Sequence, residues 1–355
     1  MYLRRDEAQL QIGRGSSATM NVRLKDIAAD LGVSVVTVSR ALHNRPDISK
    51  ETKARILDRV RELDYRPNLA ARSLVTGRSS LIGLIVPDLV HPFFGEIAKG
   101  LSSTLRETNY FVTVASSESD PRLEQIEIEH MLARHLGGLV LASCQESGES
   151  LRKIGAGVRL VLIDRRFRNL DSNFVGVNDY RVDELATEHL VAQGCRRIAH
   201  IRGPANSVGN NRAEAYRDTL QRHGITVCDE YIISAGEASG CDGETRGHRA
   251  MEAILKLKQR PDGLFCFNDT VAVGAMFKAF EAGVSIPNEL AIVGCGNFHY
   301  SGKLQIPLTS VDQHAIEIGK RTARMIARLH GKPSNHNRNV ILEPQLIIRA
   351  SSHLR

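Results

Sequence analysis

Arg40 can fork two donors onto the O6 and N7 of a guanine, and Val35 and Val36 can meet thymine methyl groups. The stretch LKDIAADLGVSVVTVSRAL (24–42) therefore carries the chemistry of base recognition. Two short helices around a tight turn must position it. Leu24, Ile27, Ala28 and Leu31 form one apolar stripe on the first helix. Gly32 is free to take positive φ and end that helix, and Ser34 can cap the second. The second helix then turns Val38, Ala41 and Leu42 inward. Val35, Val36, Ser39, Arg40 and His43 stay outside, where water is a poor partner for adjacent valines. This is the layout of a helix-turn-helix, whose recognition helix reads bases with its N-terminal part. An αα-hairpin that only packs is the alternative. A third helix is expected over 49–64, with Ser49 as N-cap and Ile56, Leu57, Val60 and Leu63 on one face.

The charge distribution agrees with a DNA reader. The net charge is +7, and residues 1–78 hold fifteen Lys and Arg against nine Asp and Glu. The remainder holds 32 against 31, so the excess sits where phosphates would be neutralised. The 355 residues have room for two or three domains, and no apolar run approaches the roughly 20 residues of a membrane span. Six cysteines form no CxxC pair and no metal-ligand spacing, as expected of buried thiols in a reducing compartment. Residues 1–20 are polar, carry Arg4, Arg5 and Arg14, and lack a signal-peptide core; they are expected to be a disordered extension of a cytoplasmic protein. There is no GxSxG, no HExxH, no Walker A loop and no complete GxGxxG. No catalytic residue, metal ligand or cofactor is expected, and the chain is not expected to be an enzyme.

From Leu81 the pattern alternates strand and helix. Apolar runs at 81–87, 110–116, 137–143 and 159–164 suit buried parallel strands, and a second series runs through 174–179, 197–203, 231–236, 263–269 and 290–296. Alternating βα units imply doubly wound parallel sheets, and two series imply two lobes with a cleft between them. Ligands in open α/β sheets bind beyond the carboxyl ends of strands. That rule selects Phe93 and Phe94 after the first strand, Asp164 after the fourth, Arg212 near a helix start, and Asn268 and Asp269 after GLFCF. Carboxylate, amide and guanidinium groups suit hydroxyls or carboxylates, and aromatic faces suit a sugar ring. Each has a structural alternative: a strand-end Asp can cap a helix, and HPFF can be core packing.

The order of motifs is more specific than any one of them. GVSVVTVSRAL, a third helix, YRPNLAARSL, TGRS, LIGLIVPD, HPFFGEI, LIDRR, NDTVAVGAM and PLTSVDQ follow one another. In that order they resemble the LacI/GalR family of bacterial transcription regulators, from about Met20 to the chain end. The resemblance implies an all-α head at 21–64, a short hinge helix at 65–79 and an α/β core at 80–355 of the periplasmic-binding-protein type. It places the N-lobe at about 80–173 plus 309–340, and the C-lobe at about 174–308 plus 341–355. It implies DNA contacts from Val35, Val36, Thr37, Ser39, Arg40 and His43 in the major groove. Asn68, Ala71 and Leu74 would follow in the minor groove, with Leu74 as an apolar wedge. It also implies a homodimer on near-palindromic operator DNA, acting as a repressor whose affinity for DNA a small effector in the cleft controls. The effector positions are Phe93, Phe94, Asp164, Arg212, Asn268, Asp269 and Asn297.

One departure bears on the effector. The family commonly carries Gly-aromatic-Asp-Asp where this chain has Gly294-Cys295-Gly296-Asn297. A hydroxyl-accepting carboxylate is thus absent at Gly296, while Arg212, Arg165, Arg166 and Arg168 remain. That balance points to an anionic effector, such as a sugar acid, rather than a neutral sugar. The rival reading is a periplasmic-type sugar-binding protein with no DNA function. It would share the two lobes but has no use for the head.

Overall fold

The computed structural model describes residues 22–66, 79–152, 154, 158–234, 242–329 and 338–353. The chain divides into two compact units, 1–71 and 72–355.

In the first unit, helix α1 (Leu24–Leu31) opens where the backbone N–H of Arg23 donates to the Asp26 carboxylate at 2.8 Å. Gly32, at φ +65, closes it in the left-handed region that a β-carbon disfavours. Helix α2 (Val35–Leu42) starts on Ser34, whose hydroxyl accepts the Thr37 N–H at 3.0 Å. Helix α3 (Lys50–Glu62) starts in the same way on Ser49, which accepts from Thr52. Ile27, Ala28, Val38, Ala41 and Ile56, drawn from all three helices, form the buried centre. Arg59 on α3 grips Asp30 on α1, with Nε at 3.0 Å and Nη2 at 2.5 Å.

The second unit holds two six-stranded sheets. The first contains β1 (Leu81–Val86), β2 (Phe111–Ser116), β3 (Gly138–Leu141), β4 (Leu160–Ile163), β5 (Asn173–Val177) and β11 (Asn339–Leu342), in the order β11-β5-β4-β3-β1-β2. All its pairings are parallel. The second contains β6 (Ile198–Arg202), β7 (Ile232–Ser234), β8 (Gly263–Cys266), β9 (Ala291–Cys295), β10 (Thr309–Asp312) and β12 (Gln345–Ile347), in the order β12-β10-β9-β8-β6-β7. Only β12 runs antiparallel there, against β10. Helices α4 (Pro92–Arg106), α5 (Pro121–Leu132) and α10 (Ala315–Leu329) accompany the first sheet. Helices α6 (Asp179–Ala192), α7 (Ser207–Arg222), α8 (Gly243–Leu255) and α9 (Asp269–Glu281) accompany the second.

The expected lobe boundaries need correction. The strand at 174–179 was expected to open the second series, yet β5 pairs with β4 and β11 in the first sheet. Residues 309–312, assigned to the N-lobe, form β10 between β9 and β12 in the second sheet. Residues 341–342, assigned to the C-lobe, belong to β11 in the first. The chain therefore crosses between lobes after β5, between β10 and α10, and between β11 and β12. An apolar run reports that a strand is buried on both faces, but not which strand lies beside it. Helix α10 returns against α4 so closely that a β-carbon at Gly100 would overlap the Ile316 carbonyl, and one at Gly319 the Ile97 carbonyl. Residues 1–20 and most of the expected hinge, 67–78, lie outside the described residues.

Candidate functional site

On the head, the predicted DNA-contacting residues of α2 share one surface. Val35 and Val36 are 43% and 59% exposed, while Val38 and Ala41 on the same helix are buried. The helix needs its buried pair for packing, so the exposed pair is free for a partner. Arg40 lies one turn on and is also exposed. Its Nη1 donates to Asp47 at 2.7 Å. The Thr37 hydroxyl shares a 2.8 Å hydrogen bond with Ser34, and His43 Nδ1 lies 2.7 Å from the Ser39 carbonyl. Asn68, Ala71 and Leu74 lie outside the described residues.

In the core, the polar residues predicted to meet an effector lie at or just beyond strand ends or on the helices that follow them, and each already has a partner in the core. Asp164 follows β4 with φ +62, held by a tight turn in which Arg165 N–H meets Ile163 O at 2.6 Å. Its carboxylate is largely buried and 3.7 Å from Arg165 Nε. Burial raises its pKa above the ordinary carboxylate value, against the pull of Arg165 and Arg212. Arg212, on α7, is buried. Its Nε and Nη2 donate to Asp179 at 3.1 and 2.9 Å, and its Nη1 donates to the Phe267 carbonyl at 2.9 Å. The guanidinium also stands 4.8 Å from the centre of the Phe267 ring. Burial pushes Asp179 up to about 6, with Arg212 opposing.

Asn268 caps α9: its Oδ1 accepts the Val271 N–H at 2.9 Å and the Thr270 hydroxyl at 2.8 Å. Its Nδ2 lies 3.0 Å from Nε2 of His91, which precedes α4 on the other lobe. The His91 ring packs tilted against Phe94 and meets Phe298 edge-on, with centroids 5.7 and 5.6 Å away. Burial pulls His91 down to about 4, so the ring is neutral near pH 7. With Nε2 accepting from Asn268, the proton belongs on Nδ1, which has no partner among the described residues.

Four predicted residues are held in structural contacts. Asp269 is fully buried and accepts from Phe298 N–H at 3.1 Å, Ser301 at 2.5 Å and Ser310 at 2.7 Å. Its carboxylate therefore ties three segments of the second lobe together and is closed to a ligand. Phe93 and Phe94 are buried in the first lobe's core rather than presenting open faces. Asn297, at φ +51, donates from Nδ2 to Asp312 at 3.1 Å, and its Oδ1 accepts from Arg349 Nη2 at 2.5 Å, so its amide is committed. Gly296 sits at φ +127, and a β-carbon there would lie 2.5 Å from the Phe298 ring. That ring occupies the space that any side chain at 296 would need.

Sequence reasoning missed His91, Asp179, Phe298, Asp312 and Arg349. His91 was visible only as the first letter of HPFF. It also missed a pair in the second lobe. Asp183 Oδ2 and His200 Nε2 stand 3.4 Å apart, both fully buried, and the Thr187 hydroxyl donates to Asp183 Oδ1 at 2.9 Å. The His200 ring lies between Tyr216 and Phe265, 5.2 Å from each. Among the described residues no group of His, Cys, Asp or Glu could hold a metal ion, and no helix is long and apolar enough to cross a membrane.

A three-helix head with an apolar and cationic recognition face, joined to two lobes with a polar rim between them, defines a ligand-responsive DNA-binding regulator. Comparison with known proteins agrees. Residues 23–68 match bacterial regulatory proteins of the lacI family, and 187–352 match the periplasmic binding protein-like domain. The ribose operon repressor of Escherichia coli (strain K12) is 28% identical over 93% of this chain and 99% of its own length. A LacI-family transcriptional regulator from Silicibacter pomeroyi is 27% identical, with a TM-score of 0.78 over 93% of this chain and 99% of that one. The lac repressor dimer bound to operator, 23% identical, shares the fold with a TM-score of 0.82 over 93% and 99% of the two chains. The chain belongs to the lacI family of bacterial regulatory proteins, and it is a DNA-binding transcriptional regulator with an effector-binding core.

Proposed function

We propose that this regulator is a cytoplasmic repressor that binds a near-palindromic operator as a homodimer and answers to a neutral sugar held between its lobes. The observation that carries the DNA reading is the exposed α2 face of Val35, Val36 and Arg40. Two adjacent valines held in water need a partner, and thymine methyls in a major groove supply one. A dimer matches two such helices to two half-sites one helical turn apart. Asn68, Ala71 and Leu74 are proposed minor-groove contacts on the family likeness alone. Ribose operon repressors among the relatives favour a sugar as the effector class.

Between a sugar and its acid, the rim favours the neutral form. Arg212 is the guanidinium best placed for a carboxylate, but Asp179 already neutralises it and takes the fork. Asp164 keeps its carboxylate at a strand end, suited to hydroxyl donors and repellent to an acid. Asp164 and Asn268 are the predicted effector contacts retained here, with His91 Nδ1 added as a donor.

The test has two stages. Selection from a random duplex pool should return a site with two-fold symmetry. Thermal shift with matched sugars and sugar acids should then show stabilisation by a neutral sugar, which also alters operator retention. Tighter binding of an acid, lost in Arg212→Ala, would overturn the neutral-sugar assignment and leave the DNA reading intact.

A further inference from the structure

Of the head's ion pairs among the described residues, only Arg40–Asp47 involves the recognition helix; the others join α1 to α3 or lie within or just beyond α3. Asp47 sits in the turn between α2 and α3, and that turn is built to hold it. Asn44 takes φ +53, and Arg45 N–H closes back on the Arg40 carbonyl at 3.1 Å. Pro46 restricts the backbone before Asp47, and Ile48 after it packs against the head's core. The carboxylate therefore has a defined place beside Arg40.

The contact uses one corner of the guanidinium. Asp47 Oδ2 accepts from Nη1 at 2.7 Å. Nε and Nη2, two coplanar donors, remain for a ligand, and that edge matches guanine O6 and N7. A flexible arginine on a DNA-binding face has a second option, a backbone phosphate, which is present at every site and carries no sequence information. A carboxylate fixed beside the guanidinium repels that phosphate. It also reduces the freedom lost when the guanidinium settles on a base.

We propose that Asp47 is a specificity-determining residue: it holds Arg40 for a guanine edge and discourages Arg40 from taking phosphate. The inference rests on the DNA-reading function proposed above. It adds that an acid, rather than another base, sets how well this head distinguishes its operator from other DNA.

The test is Asp47→Asn in the full chain, measured against a duplex selected from a random pool and against a scrambled duplex, across a salt series. Asp47 is exposed and its pair lies on the surface, so the variant should fold as the parent does. Affinity for scrambled DNA should rise about threefold, while affinity for the selected duplex stays level or falls. The ratio of the two then drops about threefold or more, a change of the size expected from one surface charge pair. In an Arg40→Ala background the same substitution should leave the ratio unmoved, because its effect passes through Arg40. Asp58→Asn makes the same charge change beside Arg61, away from α2, and should raise both affinities equally. If Asp47→Asn also raises both by one factor, or shifts the ratio equally without Arg40, the proposal is overturned. A parent chain that selects no duplex at all would overturn the DNA reading itself, a result separable from either.

Discussion

The α2 face of the head and the strand-end rim of the core both carry charged side chains, but their hydrogen bonds are used differently. On α2, Val35 and Val36 are exposed and Arg40 keeps two donors free. On the rim, Arg212 is locked to Asp179, Asn297 to Asp312 and Arg349, and Asp269 to three donors of its own lobe. The difference follows from the partners. DNA supplies its own acceptors and a dense charge, so a protein can meet it with free groups on a solvated helix. A small effector must be met inside a partly dry cleft, where an unpaired charge is costly and each side chain is therefore held by a neighbour before the ligand arrives. The His91–Asn268 contact spans the two lobes at that rim, next to the Phe298 ring. Any effector bound there acts on groups already coupled across the cleft.

The sharpest test of this contrast is Asp269→Ala. If Asp269 is structural, removing it strands Ser301, Ser310 and the Phe298 N–H without an acceptor. The core should lose about 3 kcal/mol or more of stability in urea unfolding. A stable variant that has only lost its effector response would return Asp269 to the binding site and weaken the contrast.

Arg40→Ala should act on DNA binding and leave the fold alone. Specific binding should weaken by about 1–3 kcal/mol, with relaxed discrimination at one base pair. Binding to random duplexes should change less, since phosphate contacts dominate there. An equal loss on both would remove Arg40 from the base-reading face.

The buried Asp183–His200 pair gives the core a pH signature that the exposed head should lack. Burial pushes Asp183 up to about 8 from 3.8 and pulls His200 down to about 3 from 6.5. The folded chain thus holds an extra proton on Asp183 up to about pH 8, so stability falls as pH rises toward that value. His200 acts in the opposite sense below its unfolded value of 6.5 and offsets the fall there. Asp183 therefore acts alone between about 6.5 and 8, at no more than about 1.4 kcal/mol per pH unit. Urea midpoints at the two ends of that window should differ in the parent and coincide in Asp183→Asn. An undiminished difference in the variant would assign the proton elsewhere.

The smallest effect belongs to the valines. Replacing each half-site thymine by uracil removes one methyl group at a time, and the one facing Val35 or Val36 should matter by about 0.5–1 kcal/mol. Retention assays with singly substituted duplexes measure it. No loss at any thymine would leave the exposed valines unexplained by methyl contact.

Much of this architecture was legible before any coordinates. The spacing of Leu24, Ile27, Ala28 and Leu31, with Gly32 and Ser34 as stops and starts, is local information, and α1, α2 and α3 fall within two residues of expectation. The apolar runs marked nine strands for the same reason. By contrast, β11 was missed because its apolar run is only three residues long, 340–342, and the strand is partly exposed. The sheet membership of β5 and β10 was misread because strand neighbours are selected by pairings between segments far apart in the chain. Strand-end position named Asp164, Arg212, Asn268 and Asn297 as candidates, yet gave no hint that Asp179, His91, Asp312 and Arg349 would engage Arg212, Asn268 and Asn297. The sequence by itself determined the head, its exposed reading face and the two-lobed α/β plan, because helix periodicity and strand burial are properties of neighbours in the chain. Only the tertiary structure decided which polar groups of the rim remain available, because a hydrogen bond between residues 15 or more positions apart exists only once the lobes have folded around it.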